Sequence, residues 1–306
     1  MKTMQGRRLT AVGFFVLGVA SVNAGPYTLT DLGTLGGTSS QAYGVNDAGQ
    51  IVGRATTTGG VDHAFLYSGG AMSDLGTFGG TASEAHGIND AGQVVGWART
   101  TGNAATHAFL YSGGLMLDLG TFGGTISEAY GVNNAGQVVG TSHTTGDALQ
   151  LAFLYSGGVM SDLGTLGGAS SAFGINDAGQ VVGGSFTGAN LHAFLYSGGV
   201  MSDLGAFGGS HSFAIRINDA GQAVGYAYTT GDLGNHAFLY SGGVMSDLGT
   251  LAGPLSVAYG INNAGYIVGE SSSFQGFHAF LYDGNTMTDL NAFIPPGSAF
   301  SQLTSA

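Results

Sequence analysis

Five histidines head near-identical copies of one segment, and imidazole is a common metal ligand. They are His63, His107, His192, His236 and His278, each followed by Ala-Phe-Leu-Tyr, whereas a sixth copy has Leu151 in the same place. A metal ion needs its donor atoms at about 2 Å, and equivalent side chains on the third strand of neighbouring sheets lie much farther apart. We therefore predict structural histidines, each hydrogen-bonded to a neighbouring turn, and no metal site.

Two glutamates, Glu84 and Glu128, occupy equivalent places in adjacent copies of the repeat. A pair of carboxylates supplies the acid and the base of glycoside cleavage, so these residues are the candidate catalytic pair of a carbohydrate-active enzyme. No GxSxG, HExxH or phosphate-binding glycine loop in the sequence indicates another enzyme class. A pair drawn from 18 acidic residues is weak evidence, so the sequence favours a protein without catalytic activity or cofactor.

The remaining repeated acids belong to turn motifs. Asp recurs in Asn-Asp-Ala-Gly and in Asp-Leu-Gly, and Asn134 and Asn263 replace it in two copies of the first motif. Asp and Asn side chains hydrogen-bond the backbone of turns directly, and the sequence contains no calcium-binding loop of the EF-hand type. We interpret these residues as turn caps.

These residues lie in an array of repeats. The motif Asp-Leu-Gly and its last variant recur every 41–44 residues, at Asp31, Asp74, Asp118, Asp162, Asp203, Asp247 and Asp289. The motif Asn-(Asp/Asn)-Ala-Gly recurs in the same phase, from Asn46 to Asn262. Self-similarity at this period indicates a solenoid or a propeller. The repeats are predicted to span approximately 41–77, 84–121, 128–165, 171–206, 213–250 and 257–292, within a domain of residues 25–306.

Each repeat contains four short apolar runs, which we name strands A to D. The Asn-Asp-Ala-Gly turn joins A to B, and Ser-Gly-Gly joins C to D; both are hairpin signals, so neighbouring strands are predicted to be antiparallel. Strands B and C are continuously apolar, whereas D alternates, as expected of an outermost strand. The sequence therefore predicts an all-β propeller, with a β-solenoid as the alternative.

Strand D occurs once more than the other strands. The segment 27–34, YTLTDLGT, resembles a D strand with no A, B or C strand before it. A ring whose last blade is completed by the first strand needs such an orphan. We therefore hypothesise that the six repeats belong to a truncated seven-bladed ring, lacking a seventh A-B-C set after Ala306.

Candidate binding residues are those that differ among the copies. Because strands alternate in direction, the D-to-A and B-to-C connections share one end of the array, and this end carries most of the variation. Aromatic side chains and single charges in loops on a rigid scaffold are typical of recognition sites. The candidates in or beside the B-to-C connections are Arg54, Trp97, Arg99, His143, Tyr226, Tyr228 and Phe274; Arg216, which replaces a repeated glycine of strand A, is added to them.

The first 24 residues predict a signal peptide. Lys2, Arg7 and Arg8 precede a short apolar run, which ends at the small-residue pattern Val22-Asn23-Ala24. Without this segment the chain keeps only Arg54, Arg99 and Arg216 against 18 acidic residues. Such an acidic surface disfavours nucleic acid as a partner, and no later stretch has the ~20 apolar residues of a membrane-spanning helix.

The segments GINDAGQVVG, HAFLYSGG and MSDLGTFGG together resemble the HAF repeat family of bacterial extracellular proteins. The resemblance covers essentially all of the chain after residue 24, and it implies an exported, β-rich repeat protein without implying a reaction. The sequence therefore predicts a secreted or cell-surface binding module, whose partner is an extracellular polysaccharide or a protein. A secreted carbohydrate-active enzyme and a structural matrix component are the alternatives.

Overall fold

A computed structural model describes residues 30–294 and 302–305 of the chain. The predicted signal peptide, residues 1–24, lies outside the described residues. In the described part, 24 strands form antiparallel four-stranded sheets, which we call blades 1 to 6 in chain order. Each blade follows the order A-B-C-D, and one parallel bridge between Thr106 and Ile126 also joins blade 2 to blade 3.

Each blade is a run of four consecutive strands. Blades 1 to 3 comprise β1 (Gly36–Val45), β2 (Ile51–Thr57), β3 (Asp62–Ser68), β4 (Ala71–Gly76), β5 (Gly79–Ile88), β6 (Val94–Thr100), β7 (Thr106–Ser112), β8 (Leu115–Asp118), β9 (Gly123–Val132), β10 (Val138–Thr144), β11 (Gln150–Ser156) and β12 (Val159–Asp162). Blades 4 to 6 comprise β13 (Ser170–Ile175), β14 (Val181–Phe186), β15 (Leu191–Ser197), β16 (Val200–Asp203), β17 (Gly208–Ile217), β18 (Ala223–Thr229), β19 (Asn235–Ser241), β20 (Val244–Asp247), β21 (Ser256–Ile261), β22 (Ile267–Ser273), β23 (Gly276–Tyr282) and β24 (Met287–Asp289). Short 3₁₀ turns span Thr101–Asn103, Thr145–Asp147, Thr230–Asp232 and Leu290–Phe293.

The turn residues explain why the strands form hairpins. In the C-to-D turn of blade 2, Gly113 and Gly114 have φ values of 58° and 86°, the left-handed pair that a two-residue turn requires. In the A-to-B turn of blade 1, the Gly49 amide donates to the Asn46 carbonyl and the Asn46 amide to the Gln50 carbonyl. In blades 1, 2, 3 and 5 strand A begins five residues earlier than the sequence predicts, because the preceding Gly-Gly stretch is already part of the strand; in blades 4 and 6 it begins one residue earlier.

The core lies between the blades. Between blades 1 and 2, Val52, Ala64 and Leu75 of the first pack against Ala85, Ala98 and Phe109 of the second, all of them buried. We call the side of a blade that faces the next one its forward face and the opposite side its backward face. In blades 3 and 6 the strand C phenylalanine lies over a strand B glycine: a Cβ on Gly140 would be 2.8 Å from the Phe153 ring and 2.0 Å from the Glu128 carbonyl oxygen, and a Cβ on Gly269 would be 2.8 Å from the Phe280 ring. Strands B and C are therefore covered on both faces, whereas the D strands are largely exposed.

The A-to-B turns are linked from blade to blade. Each asparagine side chain donates from Nδ2 to the backbone carbonyl of the equivalent asparagine in the next blade, as Asn89 does to Asn133 at 2.9 Å. The following residue adds a second link, since the Asp90 amide donates to Asn134 Oδ1 at 3.0 Å. We call this pair of hydrogen bonds the asparagine latch. It joins blade 1 through to blade 6 in an unbroken series.

This architecture is a β-propeller, which confirms the predicted fold class and rules out the solenoid alternative. The sheets pack face to face around a common axis, with strand A innermost, and they do not form a closed ring. Of the predicted orphan strand, residues 27–29 lie outside the described residues and residues 30–34 are not in a strand. Asp31 Oδ1 nevertheless accepts from the Gly33 amide at 2.9 Å, as the Asp-Leu-Gly aspartates of the blades do.

Candidate functional site

The repeated histidines pair with the repeated aspartates. His107 Nδ1 lies 2.8 Å from Asp118 Oδ2, across strands C and D of one blade, and Asp118 Oδ1 accepts from the Gly120 amide at 2.8 Å. The same pair recurs in the four other blades that carry the histidine. In the described part of the chain no three His, Asp or Glu side chains are grouped as metal ligands. Each pair links strand C to the end of strand D within one blade, and this gives these histidines a structural role.

An incomplete ring of aromatic side chains, which we call the aromatic ring, lines the axis, with one side chain from the same strand A position in each of blades 1 to 4. Tyr43, His86, Tyr130 and Phe173 contact one another in sequence, with ring centroids 4.3–5.6 Å apart. Phe213 of blade 5 meets Phe173 edge to face at 4.9 Å. The ring borders an axial cavity of about 230 Å³, which continues toward the A-to-B turns between glycines and aliphatic residues.

Arg216 lines this cavity, two residues before the latch asparagine of blade 5. Its Nη1 donates to the Ile215 carbonyl at 3.0 Å, and burial lowers the pKa of its guanidinium from 12.5 to about 10. The equivalent glycine of blade 4 packs against the Arg216 backbone: a Cβ on Gly174 would be 3.1 Å from the Arg216 Cα. Arg216 therefore lines the axial cavity, whereas the other candidates lie at the B-to-C end of the blades.

His86 is the buried imidazole of the aromatic ring. Burial, aided by the positive charges of Arg216 and Arg54, lowers the pKa of His86 from 6.5 to about 4, so the ring is neutral at neutral pH. Its Nε2 is buried, has no hydrogen-bond partner among the described residues, and lies 3.8 Å from Glu84 Oε1. The neighbouring Tyr43 hydroxyl is also hard to ionise, because burial and Glu84 raise its pKa to about 12.

A polar cluster lies beside the ring where blade 1 meets blade 2. Arg54 Nη1 is 3.4 Å from Glu84 Oε2 and 3.6 Å from Asp62 Oδ2, and its Nη2 donates to Gln41 Oε1 at 3.1 Å. The Arg54 and Asp62 side chains are 40% and 41% exposed, whereas Glu84 is 13% exposed. We call Gln41, Arg54, Asp62 and Glu84 the polar cluster. It offers charged donors and acceptors at a surface opening.

Glu84 is the electrostatically unusual member of the polar cluster. Burial raises its pKa above the ordinary 4.5, and the charge of Glu128 adds to this, although Arg54 and the Tyr43 hydroxyl act in the opposite direction. Trp97 pairs with Glu84 across strands A and B, so both side chains project from the same face of blade 2. A half-buried indole therefore lies next to the polar cluster.

Glu128 has different surroundings. Its carboxylate accepts a hydrogen bond from the Tyr130 hydroxyl of the aromatic ring. Burial, followed by the charge of Glu128, raises the pKa of this tyrosine strongly. A similar pair occurs in blade 6, where the Tyr259 hydroxyl donates to Glu270 at 2.7 Å. Of the two predicted catalytic carboxylates, Glu84 thus pairs with a cation and Glu128 with a phenol.

A second aromatic group lies in blade 5. Phe213 and Tyr226 stack at 6.2 Å with an interplanar angle of 18°, Tyr226 contacts Tyr228 at 6.3 Å, and Tyr228 contacts His211 at 5.6 Å. The structure therefore brings the predicted residues Tyr226 and Tyr228 together. Through Phe213 they are continuous with the aromatic ring around the axis.

The other predicted binding residues stand apart from these groups. Arg99 is exposed near the end of strand B in blade 2, and Phe274 is 94% exposed in the B-to-C turn of blade 6. The buried His143 Nδ1 lies 3.7 Å from Asp147 Oδ1 and has no hydrogen-bond partner in the described part of the chain. Asp147 itself accepts from the Thr125 amide and hydroxyl, both at 2.7 Å, so it fixes its loop to strand A.

Gln41, Tyr43, Asp62 and Tyr130 did not emerge from the sequence as candidates. Gln41 and Glu84 share one column of the repeat, which reads Gln, Glu, Glu, Ser, Phe and Val in blades 1 to 6. This variation beside the repeated aromatic position was the available signal. Tyr43 and Tyr130 gave no such signal, because they match the repeat consensus. Asp62 was overlooked because it directly precedes a histidine that also matches the consensus.

No helix among residues 30–294 and 302–305 combines the length and the apolar composition needed to cross a bilayer. The chain matches no family model and no curated protein sequence. Solved structures are similar in fold. The β-propeller domain of the Trilobed protease from Pyrococcus furiosus is 10% identical with a TM-score of 0.58, over 85% of each chain.

Two further structures show the same likeness. Putative TolB from Agrobacterium tumefaciens is 12% identical with a TM-score of 0.52, over 67% of this chain and 78% of that one. The acylaminoacyl peptidase of Pyrococcus horikoshii is 12% identical with a TM-score of 0.52, over 82% of this chain and 45% of that one. At these identities the likeness is one of fold alone, and it agrees that the chain folds as a β-propeller.

Proposed function

We propose that this protein is an exported propeller of the HAF repeat type that binds an extracellular carbohydrate at the polar cluster and Trp97. The observation that carries the proposal is the grouping of Arg54, Asp62 and Glu84 within 3.6 Å contacts beside a half-buried indole. These residues belong to columns in which the repeats differ, so the scaffold does not require them.

The chemistry of the polar cluster suits a sugar. Carboxylate, amide and guanidinium groups donate to and accept from hydroxyls, and an aromatic ring packs against the apolar face of a pyranose. Arg54 and Asp62 are close to half exposed, so a ligand reaches them without rearrangement of the blades. The signal-peptide pattern of residues 1–24 and the acidic composition support an extracellular polysaccharide over a nucleic acid.

A glycosidase is the second candidate, and one observation favours it. Burial raises the pKa of Glu84, which is the change that a general acid in glycoside cleavage needs. The Arg54 contact opposes this role by holding the carboxylate ionised. Glu84→Gln distinguishes the two candidates, because an enzyme loses turnover with this variant whereas a binding module retains any binding that does not depend on the charge.

The test is a glycan array probed with the purified protein, with hydrolysis products monitored. We expect saturable binding without products, weakened at least tenfold in Trp97→Ala and in Arg54→Ala. Leu115→Ser is the matched control, because Leu115 is 77% exposed at the start of strand D, next to the C-to-D turn at the opposite end of blade 2. Product formation abolished by Glu84→Gln would assign the enzyme instead. Binding that is equal in all variants, or absent throughout, would overturn the proposed site and leave a matrix role.

A further inference from the structure

The two ends of the open propeller carry the interface that elsewhere joins one blade to the next. On the forward face of blade 6, Val268 is 8% exposed, whereas its equivalents Val52, Val95, Val139, Val182 and Val224 are fully buried. Val268 and Leu281 also line the axial cavity, which thus continues from the axis onto this face. This face has the side chains of an inter-blade core without a following blade against them.

The backward face of blade 1 is also less buried than the same face of the other blades. Ala42 and Ile51 are only half-buried. Their equivalents in the five later blades are all fully buried, namely Ala85, Ala129, Ala172, Ala214 and Ala258, and Val94, Val138, Val181, Ala223 and Ile267. The two faces therefore match the two halves of the core that recurs between the other blades.

The asparagine latch ends in the same complementary way. Of the described residues none accepts a hydrogen bond from Asn262 Nδ2, and Asn262 is half-buried where the five preceding latch asparagines are 3–5% exposed. At the other end, the Gly49 amide is the one donor to the Asn46 carbonyl among residues 30–294 and 302–305, whereas the Asn89 carbonyl accepts from both the Gly92 amide and Asn46. One end therefore offers a donor and the other an acceptor.

A third contact between neighbouring blades is a hydrogen bond from strand C to the next strand A, and it differs in blade 6. In blades 1 to 5 the amide of the alanine after the histidine position donates to a serine hydroxyl of the next strand A, as Ala237 does to Ser256 at 2.8 Å. In blade 6 the Ala279 amide donates to the Leu303 carbonyl at 2.9 Å. The Asn291 side chain fixes Leu303 with two hydrogen bonds: its Nδ2 donates to the Leu303 carbonyl, and its Oδ1 accepts from the Leu303 amide. A single residue of the chain thus takes the place of a strand A serine.

We propose that the gap between blades 6 and 1 binds a three-stranded A-B-C segment, presented by a different protein that carries this same repeat sequence and not by a second copy of this chain, whose A-B-C strands already belong to its own blades. Its latch asparagine would donate to the Asn46 carbonyl, and its own carbonyl would accept from Asn262. Its alanine and valine side chains would cover Val268 on one side and Ile51 on the other, while its strand A would displace Leu303. The inference is independent of the carbohydrate site.

The experiment uses the full chain and a labelled soluble fusion that carries residues 208–241, the A, B and C strands of blade 5. We expect saturable 1:1 binding by fluorescence anisotropy, weakened at least tenfold by Asn262→Ala in the full chain or by Asn218→Ala in the segment. Asn285→Ala is the matched control in the same blade, because Asn285 is exposed in the C-to-D turn. Binding that persists unchanged in Asn262→Ala would overturn the proposal.

A second measurement tests the proposal even when the isolated segment does not fold by itself. Residues 208–241 are appended to the chain through a flexible linker, and amide hydrogen exchange is followed at Ile51 and Val268. We expect exchange at both to slow at least tenfold, and unchanged exchange together with no binding in trans would overturn the proposal. Self-association of the chain that Asn262→Ala abolishes would assign the gap to a second copy and would also overturn it.

Discussion

At the residue scale, His86 should make the protein acid-sensitive. A histidine whose pKa is lowered on folding binds fewer protons in the folded state, so folding stability is lost as pH falls from 6.5 toward about 4. A shift of this size corresponds to about 3 kcal/mol. We expect the unfolding free energy of the wild type to fall by that amount relative to His86→Phe between pH 7 and pH 4, measured by urea denaturation.

His63→Leu is the control for this measurement. His63 is partly exposed and pairs with Asp74, and leucine occurs naturally at the equivalent Leu151. The acid dependence of His63→Leu should follow that of the wild type much more closely than His86→Phe does. If His86→Phe and the wild type lose stability in parallel, His86 does not carry the effect.

The leucine itself gives a second residue-scale prediction. Leu151 faces the place where a histidine would meet Asp162, and strands C and D of blade 3 pair in the same register as those of blade 2. Leu151→His should therefore add the missing hydrogen bond and stabilise the protein by about 0.5–1 kcal/mol. Thermal and urea unfolding measure the gain. The gain should vanish in an Asp162→Ala background; a gain that survives there would show that the aspartate is not its cause.

At the element scale, the A-to-B turns show that one asparagine is more than a tolerated replacement. The sequence shows Asn134 only as a replacement for the repeated aspartate of a turn cap, but its Nδ2 donates to Asp90 and to Asp177, both at 3.0 Å. Asn134→Asp would place three carboxylates in a row. We expect a loss of about 1–2 kcal/mol at low salt, because like charges in contact repel, with partial recovery in ~1 M salt, where the screening length is about 3 Å.

Asn103→Asp is the matched control for the turn variant. Asn103 accepts from the Thr81 amide at 2.9 Å, and the equivalent residues Asp147 and Asp232 make the same contact as carboxylates. This substitution should change the unfolding free energy by less than about 0.5 kcal/mol. A salt-independent loss in Asn134→Asp would show that the lost donor, and not repulsion, is responsible.

At the scale of the whole molecule, the repeat period predicts most of the fold. The turn chemistry of Asn-Asp-Ala-Gly and Ser-Gly-Gly defines the hairpins, and the two-sided apolar strands place the core between blades. The candidate site was predicted only in part. Arg54, Glu84 and Trp97 deviate from the repeat and were found, whereas Tyr43 and Tyr130 match it and were not. A residue that serves both the scaffold and the site leaves no trace in a single sequence.

An open array should also be least stable where its core ends. Each blade contacts only its neighbours, so stability is close to a sum of blade and interface contributions, and the terminal blades have one interface fewer. Leu303 partly replaces the missing interface by packing with Leu281 and Leu290 against Val268 and Ala279.

We therefore expect Leu303→Asp to speed amide exchange in blade 6, at Ile267 and Ala279, at least tenfold, while exchange in blade 3, at Val138 and Ala152, changes little. Phe293→Asp, at a residue 37% exposed in the 3₁₀ turn Leu290–Phe293 after strand D of blade 6, is the control. Equal acceleration in blades 3 and 6 would mean that the propeller unfolds as one cooperative unit, in which case Leu303 stabilises the whole molecule instead of its last blade.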